Sequence, residues 1–324
     1  MVEFGGCSKK NAPMNDVLSD IFNTIELKAT FYFRTEFYPP FGMSVPKFKR
    51  ASRFHLIVQG QCFVRLDNGT VVAALPGDLV FVPSGNAHLL ASDPAQVPTL
   101  LEDAINESGF SGQGPFVIGV GAPGQSCQMI CGHFAFIDGA DHPVLQAVPE
   151  ILHISAADRA AHPMLDDVLR LIARRVFSDT SGAAASIGRL SEVLFIEVIR
   201  AGLAQFGGEN KIMAAVNDPQ IGRALAAIHG NIAKHWTVDA LGREAGMSRT
   251  RFAQQFREMV GSSPMSYVAE WRLQRSLHLL GDGRLAVKAV AATVGFRSVA
   301  AFSRAFRARF GRAPSEQRQH ENPR

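Results

Sequence analysis

Cys127 and Cys131 stand in the stretch CQMICGHF, with His133 two residues further on, in a chain that has four cysteines in all. Alternation along a strand puts Cys127, Met129, Cys131 and His133 on one face. His55 and His88 fall in other segments that also read as strands. If those strands line one interior, two imidazoles and the Cys131 thiolate, with His133 or Cys127 as a fourth donor, supply tetrahedral zinc chemistry. The same set suits a redox-sensitive thiolate whose pKa is lowered by neighbouring imidazoles. A third reading is packing, since free cysteine is among the most buried residue types and lone histidines are often satisfied core groups. The C-x3-C-x-H spacing is not that of a zinc finger and does not choose among the three. His55, His88, Cys131 and His133 are therefore the candidate ligand-binding residues, with His55, His88 and Cys131 as the candidate zinc set. Cys7, near the N-terminus, and Cys62, inside a strand, carry less.

The elements around these residues are short and alternating. RFHLIVQGQCFVRLDNGTVVAALPGDLVFVP switches between apolar and polar residues, and Asp67-Asn68-Gly69 is a hairpin signal between two such runs. Pro76-Gly77-Asp78 marks another turn. Strands at this spacing, over about residues 30–137, predict an all-β barrel or jelly roll. HPVLQAVPEILHI then packs back on it. Leu165, Val168, Leu169, Ile172 and Val176 predict a helix from His162, and Ile187, Leu190, Leu194 and Val198 predict another ending at Phe206 before Gly207-Gly208. Residues 207–217 form the expected linker.

Charge sets the C-terminal third apart. From Asn217 to Arg324 there are 17 basic and 8 acidic residues, a net of +9; the rest of the chain has 16 and 21, a net of −5. A basic C-terminal third on an acidic body suits nucleic-acid binding at one end, or else a solvated basic surface. No run approaches the ~20 apolar residues of a membrane span. The N-terminus lacks the apolar core of a secretory signal, and four cysteines make no disulfide framework. These features predict a cytoplasmic protein without a membrane partner.

The basic third is duplicated. Phe252, Phe256, Gly261 and Pro264 recur 50 residues later as Phe302, Phe306, Gly311 and Pro314, and Gly246 recurs one residue out of step as Gly295. Each copy reads as a short helix, a glycine turn and a second helix, which makes a helix-turn-helix. Thr237 and Ser248 are the expected N-caps in the first copy. The exposed faces of the second helices offer Arg249, Thr250, Arg251, Gln254 and Arg257 in one copy and Arg297, Ser298, Val299, Arg304, Arg307 and Arg309 in the other. Arginine and glutamine there can make bidentate contacts to base edges in a major groove. The apolar stripe of Ser266–Leu280 predicts a connecting helix that fixes the spacing; readers ~34 Å apart would enter successive turns of one DNA face.

These residues resemble the DNA-binding domain of AraC-family bacterial transcription regulators. AVAATVGFRSVAAFSRAFRARFGRAPSEQR, Ala289 to Arg318, carries the family's G-F, F-S-R-x-F-[KR] and F-G-x-x-P positions. The resemblance places the first reading helix at 248–256 and the second at 298–306. Arg304 sits where the family often has a DNA-contacting arginine, with Gln254 as its counterpart. Val299 and Ala300 depart from the usual polar residues, which implies less hydrogen bonding there and apolar contact to thymine methyls.

A second resemblance covers the β-rich part. GDLVFVPSGNAH, Gly77 to His88, fits G-x5-P-x-G-x2-H and resembles the second motif of cupins. The first motif is partial: His55 stands near its histidine region, but the H-x-H pair and following glutamate are absent, which argues against an iron-dependent enzyme. Together the resemblances imply a two-domain α+β chain. A cupin-like sensor domain spans 1–206, residues 207–217 link, and a double helix-turn-helix domain spans 218–324. They further imply an activator that binds double-stranded promoter DNA, with RNA polymerase as a candidate partner, a small-molecule, metal or redox effector, and a homodimer formed through the helices at 162–206. The rival expectation is a cupin-like metal-dependent enzyme with an accessory helical domain.

Overall fold

The computed structural model describes residues 16–25, 27–48, 51–112, 114–136, 140–178, 180–206 and 211–320. They divide into two compact units. One holds the described residues within 27–138 and 142–210; the other gathers those of 211–320 with residues 16–25 and 140–141. Cys7 lies outside the described residues. Helix α1 (Val17–Ile25) belongs to the second unit.

The first unit is built from β1 (Lys28–Phe37), β2 (Gly42–Val45), β3 (Ala51–Gln59), β4 (Cys62–Leu66), β5 (Val71–Ala74), β6 (Leu79–Val82), β7 (His88–Ala91) and β8 (Thr99–Leu100). Helix α2 (Leu101–Ser108), β9 (Pro115–Ile118), β10 (Cys127–Ala135), α3 (Pro143–Gln146) and β11 (Leu152–Ile154) come next. Instead of one closed barrel there are two sheets, ordered β11-β6-β3-β10-β1-β9 and β5-β4-β7-β2-β8. Their inner faces share one core. Phe37, Ile57, Val80 and Met129 come from the larger sheet and Met43, Val64, Ala74 and Leu90 from the smaller. The outer face of the larger sheet is also covered: Phe54, Phe81 and Phe134 stack around Phe195 of helix α5 (Ala183–Phe206), with ring centroids 5.2–6.0 Å apart. Helix α5 pairs with α4 (Pro163–Val176). Cover on both faces explains why seven residues in a row, Ala51 to Ile57, are buried where alternation alone predicts half.

The turns are built as their residues dictate. Gly69 takes φ +87°, and the Asn68 side chain accepts the Thr70 amide at 2.9 Å. After Gly77 (φ +92°), the Asp78 carboxylate accepts the amides of Leu75 and Ala156 at 3.0 and 2.8 Å and the ring of His153 at 2.9 Å. Asp78 thereby ties the β5–β6 turn to β11, which pairs with β6 as the back-packing segment requires.

The second unit contains α6 (Lys211–Asn217), α7 (Ile221–Gly230), α8 (Val238–Ala245), α9 (Arg249–Val260), α10 (Pro264–Gly281), α11 (Val287–Thr293), α12 (Val299–Phe310) and α13 (Pro314–His320). The expected division at 206 changes in two places. Residues 207–210 of the expected linker lie outside the described residues, and 211–217 are not a linker but α6, whose buried Ile212, Met213 and Ala215 pack with α7 and α9. Residues 16–25, expected in the sensor domain, form α1 against α7 and α10. Val17, Ile21 and Ile25 bury one side of α1, and Asp20 holds it by charge. The Asp20 carboxylate accepts from Arg275 Nη1 at 2.6 Å, Trp271 Nε1 at 3.0 Å and His229 Nδ1 at 2.7 Å. His229 Nε2 in turn accepts the Tyr267 hydroxyl at 2.7 Å.

Candidate nucleic-acid interface and interior histidine–cysteine chain

Helices α8 and α9 form the first helix-turn-helix. Thr237 caps α8 by accepting the Ala240 amide at 3.1 Å, and Gly246 at φ +67° ends it. Close approach is needed next to it. A Cβ on Gly242 would lie 3.1 Å from the Met247 carbonyl oxygen and 3.6 Å from Phe252 Cβ. Phe252 and Phe256 anchor α9 in the core, while Arg249, Thr250, Arg251, Gln254 and Arg257 are exposed. Ser248 occupies the N-cap position, but its side chain makes no cap bond. Arg249 lies 3.4 Å from Asp239, and Gln254 donates to Glu258 at 2.9 Å, so the first reader is a pre-paired polar surface.

Helices α11 and α12 repeat the arrangement. Phe302 and Phe306 are buried; Ser298, Val299, Arg304 and Arg307 are exposed. Ser298 does more for the helix than expected, since its hydroxyl accepts the Ala301 amide at 3.2 Å and caps α12. Arg309 is turned away from the reading face, donating to Glu270 of α10 at 2.7 Å. Thus nine of the eleven residues that the sequence puts on the reading faces lie in solvent on α9, on α12 or at its cap; Arg297 is exposed in the turn before α12, and Arg309 leaves the basic face.

The two motifs are joined by more than α10. Arg272, on α10, donates to the carbonyls of Ile232 and Lys234 at 3.1 and 2.8 Å, in the segment between α7 and α8. The turn of the second motif sits against that segment, where a Cβ on Gly295 would come within 2.7 Å of the Ala233 carbonyl oxygen.

In the two-sheet unit, His55, His88 and Cys131 come together. Strand register sets Cys131 opposite His55. His55 Nδ1 lies 3.1 Å from Cys131 Sγ, and its Nε2 lies 2.9 Å from His88 Nε2. His88 Nδ1 lies 2.8 Å from the Asn86 carbonyl. That carbonyl can only accept, which fixes the whole chain. His88 donates from Nδ1 and accepts at Nε2; His55 donates from Nε2 and accepts at Nδ1; the Cys131 thiol is the remaining donor. Every group in the chain is neutral. Burial, then His88 and Arg53, hold His55 well below the usual imidazole value, and burial brings His88 to about 4. Burial and Cys127 push the Cys131 thiol up.

This is not a convergent zinc set. Cys131 and His88 bond opposite nitrogens of one ring, and among the described residues no three His, Cys, Asp or Glu side chains are grouped to hold a metal ion. The reactive-thiolate expectation also meets a raised thiol, where a lowered one is required. His133 does not join the trio. It is half-buried one layer along β10, opposite Thr30 and Arg53, and burial and Arg53 lower it to about 4. Cys62 is buried with Cys127 and Cys131 in the same core, outside the hydrogen-bonded chain. Its Sγ donates to the Phe63 carbonyl at 3.6 Å, and the neighbouring Cys127 together with burial raises its thiol well above the usual value. The signal was present in the sequence: Cys62, Val64 and Leu66 alternate inward as Cys127, Met129 and Cys131 do.

Comparison with known proteins gives two family matches, a cupin over residues 16–204 and a helix-turn-helix domain over residues 241–320. The HTH-type transcriptional regulator AlkR of Acinetobacter baylyi is 32% identical over 308 residues, covering 94% of this chain and 99% of that protein. A putative AraC-like transcription regulator of Streptomyces antibioticus is 26% identical, over 84% of this chain and 88% of its own length. The RCS-specific HTH-type transcriptional activator RclR of Escherichia coli is 25% identical, over 82% and 84%.

Proposed function

Because the chain belongs to the AraC-like family of helix-turn-helix transcription regulators with a cupin domain, we propose that it reads promoter DNA with α9 and α12 and receives its signal between the two sheets. The observation that carries the DNA reading is the exposure of nine predicted contacts on the two duplicated helices. Gln254 and Arg304 are the base readers, and Arg251, Arg257 and Arg307 hold phosphates.

The input reading rests on the Cys131–His55–His88 chain. Each donor in it has one acceptor, so a small molecule that takes one bond, or oxidation of a thiol, breaks a buried network whose members are then unsatisfied. To count as allosteric, the signal must favour one of two arrangements that differ in DNA affinity or promoter output. A homodimer through α4 is supported by Met164 and Leu171, seven residues apart and 59% and 45% exposed. Activation is supported by RclR's name, with RNA polymerase as the further partner. Among the described residues no helix is long and apolar enough to cross a membrane, and we place the protein in the cytoplasm on the strength of its role at DNA. The enzyme alternative finds less support, because the candidate donors do not converge on a metal.

The test is selection of duplexes from a random pool by the purified full chain, followed by a reporter driven by the selected site. Wild type should enrich one site, and absence of enrichment overturns the DNA reading. His55→Gln and Cys131→Ser should alter reporter output while changing duplex affinity by less than about 2-fold, which is within the ~0.5 kcal/mol of a silent substitution. Unchanged output in both variants removes the interior chain as the input.

A further inference from the structure

The two reading helices are duplicates in framework and opposites in surface chemistry. With Phe252 aligned on Phe302, Arg249 and Thr250 of the first reader correspond to Val299 and Ala300 of the second. Gln254 corresponds to Arg304, and Glu258 to Ala308. All of these residues are exposed. Val299 stands at the first position of α12 and is 38% exposed. Among the described residues of the helical unit, it and Met265 are the large apolar side chains left in solvent. Two of the polar groups beside it are engaged, since Ser298 caps the helix and Arg309 is held by Glu270, while Arg297 stays exposed in the turn before α12. The first turn of the second reader therefore offers a methyl surface, Val299 and Ala300, flanked by the guanidiniums of Arg297 and Arg304.

We propose that the second helix-turn-helix is a thymine reader. Val299 and Ala300 contact the C5-methyl groups of thymines in the major groove, and Arg304 reads an adjoining guanine. A thymine methyl is the one apolar feature a base edge presents in that groove, and it matches aliphatic side chains. The first reader, whose corresponding positions carry Arg249 and Thr250, uses hydrogen bonds instead. The protein thus reads one half of its site by polar groups and the other largely by shape and methyl burial.

This inference rests on the DNA reading above, and one experiment separates their failures. A duplex is selected by the full chain, and deoxyuridine replaces thymine in one half-site at a time, which deletes the methyl and leaves every hydrogen-bonding group. Burial of one methyl corresponds to about a 4-fold change in affinity. Substitution in the second half-site should weaken binding by about 4-fold per contacted thymine, and in the first half-site by less than about 2-fold. Val299→Ala should bind the thymine duplex more weakly and lose most of the discrimination between thymine and uracil. If no duplex is selected, the DNA reading itself fails. If a duplex is selected but its second half-site lacks thymine, or uracil is tolerated there, or Val299→Ala weakens both duplexes equally, the thymine reading is overturned and the DNA reading stands.

Discussion

Asp20→Ala is expected to destabilise the helical unit by about 2–6 kcal/mol. The carboxylate receives Trp271 Nε1–H and His229 Nδ1–H, and the His229 side chain is fully buried. Deleting it leaves two buried donors without an acceptor, at ~1–3 kcal/mol each. The Arg275 partner is 36% exposed and finds water, so it adds little. Trp236 and Trp271 are the chain's two tryptophans, and both lie in this unit. Tryptophan emission during urea unfolding therefore reports it alone. Asp20→Asn, which keeps an acceptor, should lose less, and an unchanged midpoint in Asp20→Ala would show that α1 does not support the unit. Acid should act in the same direction. Burial holds His229 below 6.5, so the unfolded chain takes up that proton first and stability falls as pH drops below about 6.5. Burial raises Asp20, but the bonds from His229 and Trp271 and the charge of Arg275 outweigh it and leave the carboxyl below 3.8. Its share of stability is present above that value and is lost as pH falls through the lowered pKa.

Arg304→Ala is expected to weaken binding to the selected duplex by about 1–3 kcal/mol, roughly 5- to 150-fold, and to relax selection at one base pair. A guanidinium gives two parallel bonds to guanine O6 and N7, and a methyl gives none. Arg304→Lys keeps the charge without the fork and should recover only the phosphate-like part. Arg307→Ala makes the contrast. It should weaken all duplexes alike and lower the slope of log affinity against log salt by about one. Both are measured by fluorescence anisotropy against cognate and scrambled duplexes across a salt series. Unchanged cognate affinity in Arg304→Ala removes it from the reading set.

The readers were legible in the sequence because the signals that make them are local. Thr237 and Gly246 bound α8 through bonds within a few residues of themselves, and the phenylalanine spacing marks the buried face of each reader, whereas the cap expected at Ser248 is not made and one at Ser298 is. The Asp67-Asn68-Gly69 hairpin was legible for the same reason. What sequence could not give was the pairing of distant groups. Asp20 is 209 residues from His229 and 255 from Arg275, so nothing near it announced that α1 completes the helical unit. Helix α6 looked like a linker because Gly207 and Gly208 stand before it, although its buried Ile212, Met213 and Ala215 pack with α7 and α9. Alternation put His133 on the same face as Cys131 but not in the same layer, and only the strand register separates them. Of the three readings open for these residues, zinc set, redox thiolate or packing, the side chains of His55, His88 and Cys131 form a buried hydrogen-bonded chain.

The Arg272 clasp has a consequence for the DNA as much as for the protein. Its guanidinium fastens α10 to the segment before α8, and Gly295 lets the second turn rest on that segment, so the two readers are held in one arrangement. An 18-residue helix of ~27 Å connects the two motifs. The binding site must then conserve its phase. One base pair inserted between the half-sites turns the second through about a tenth of a turn and carries its thymines out of reach, even though every letter of both half-sites is intact.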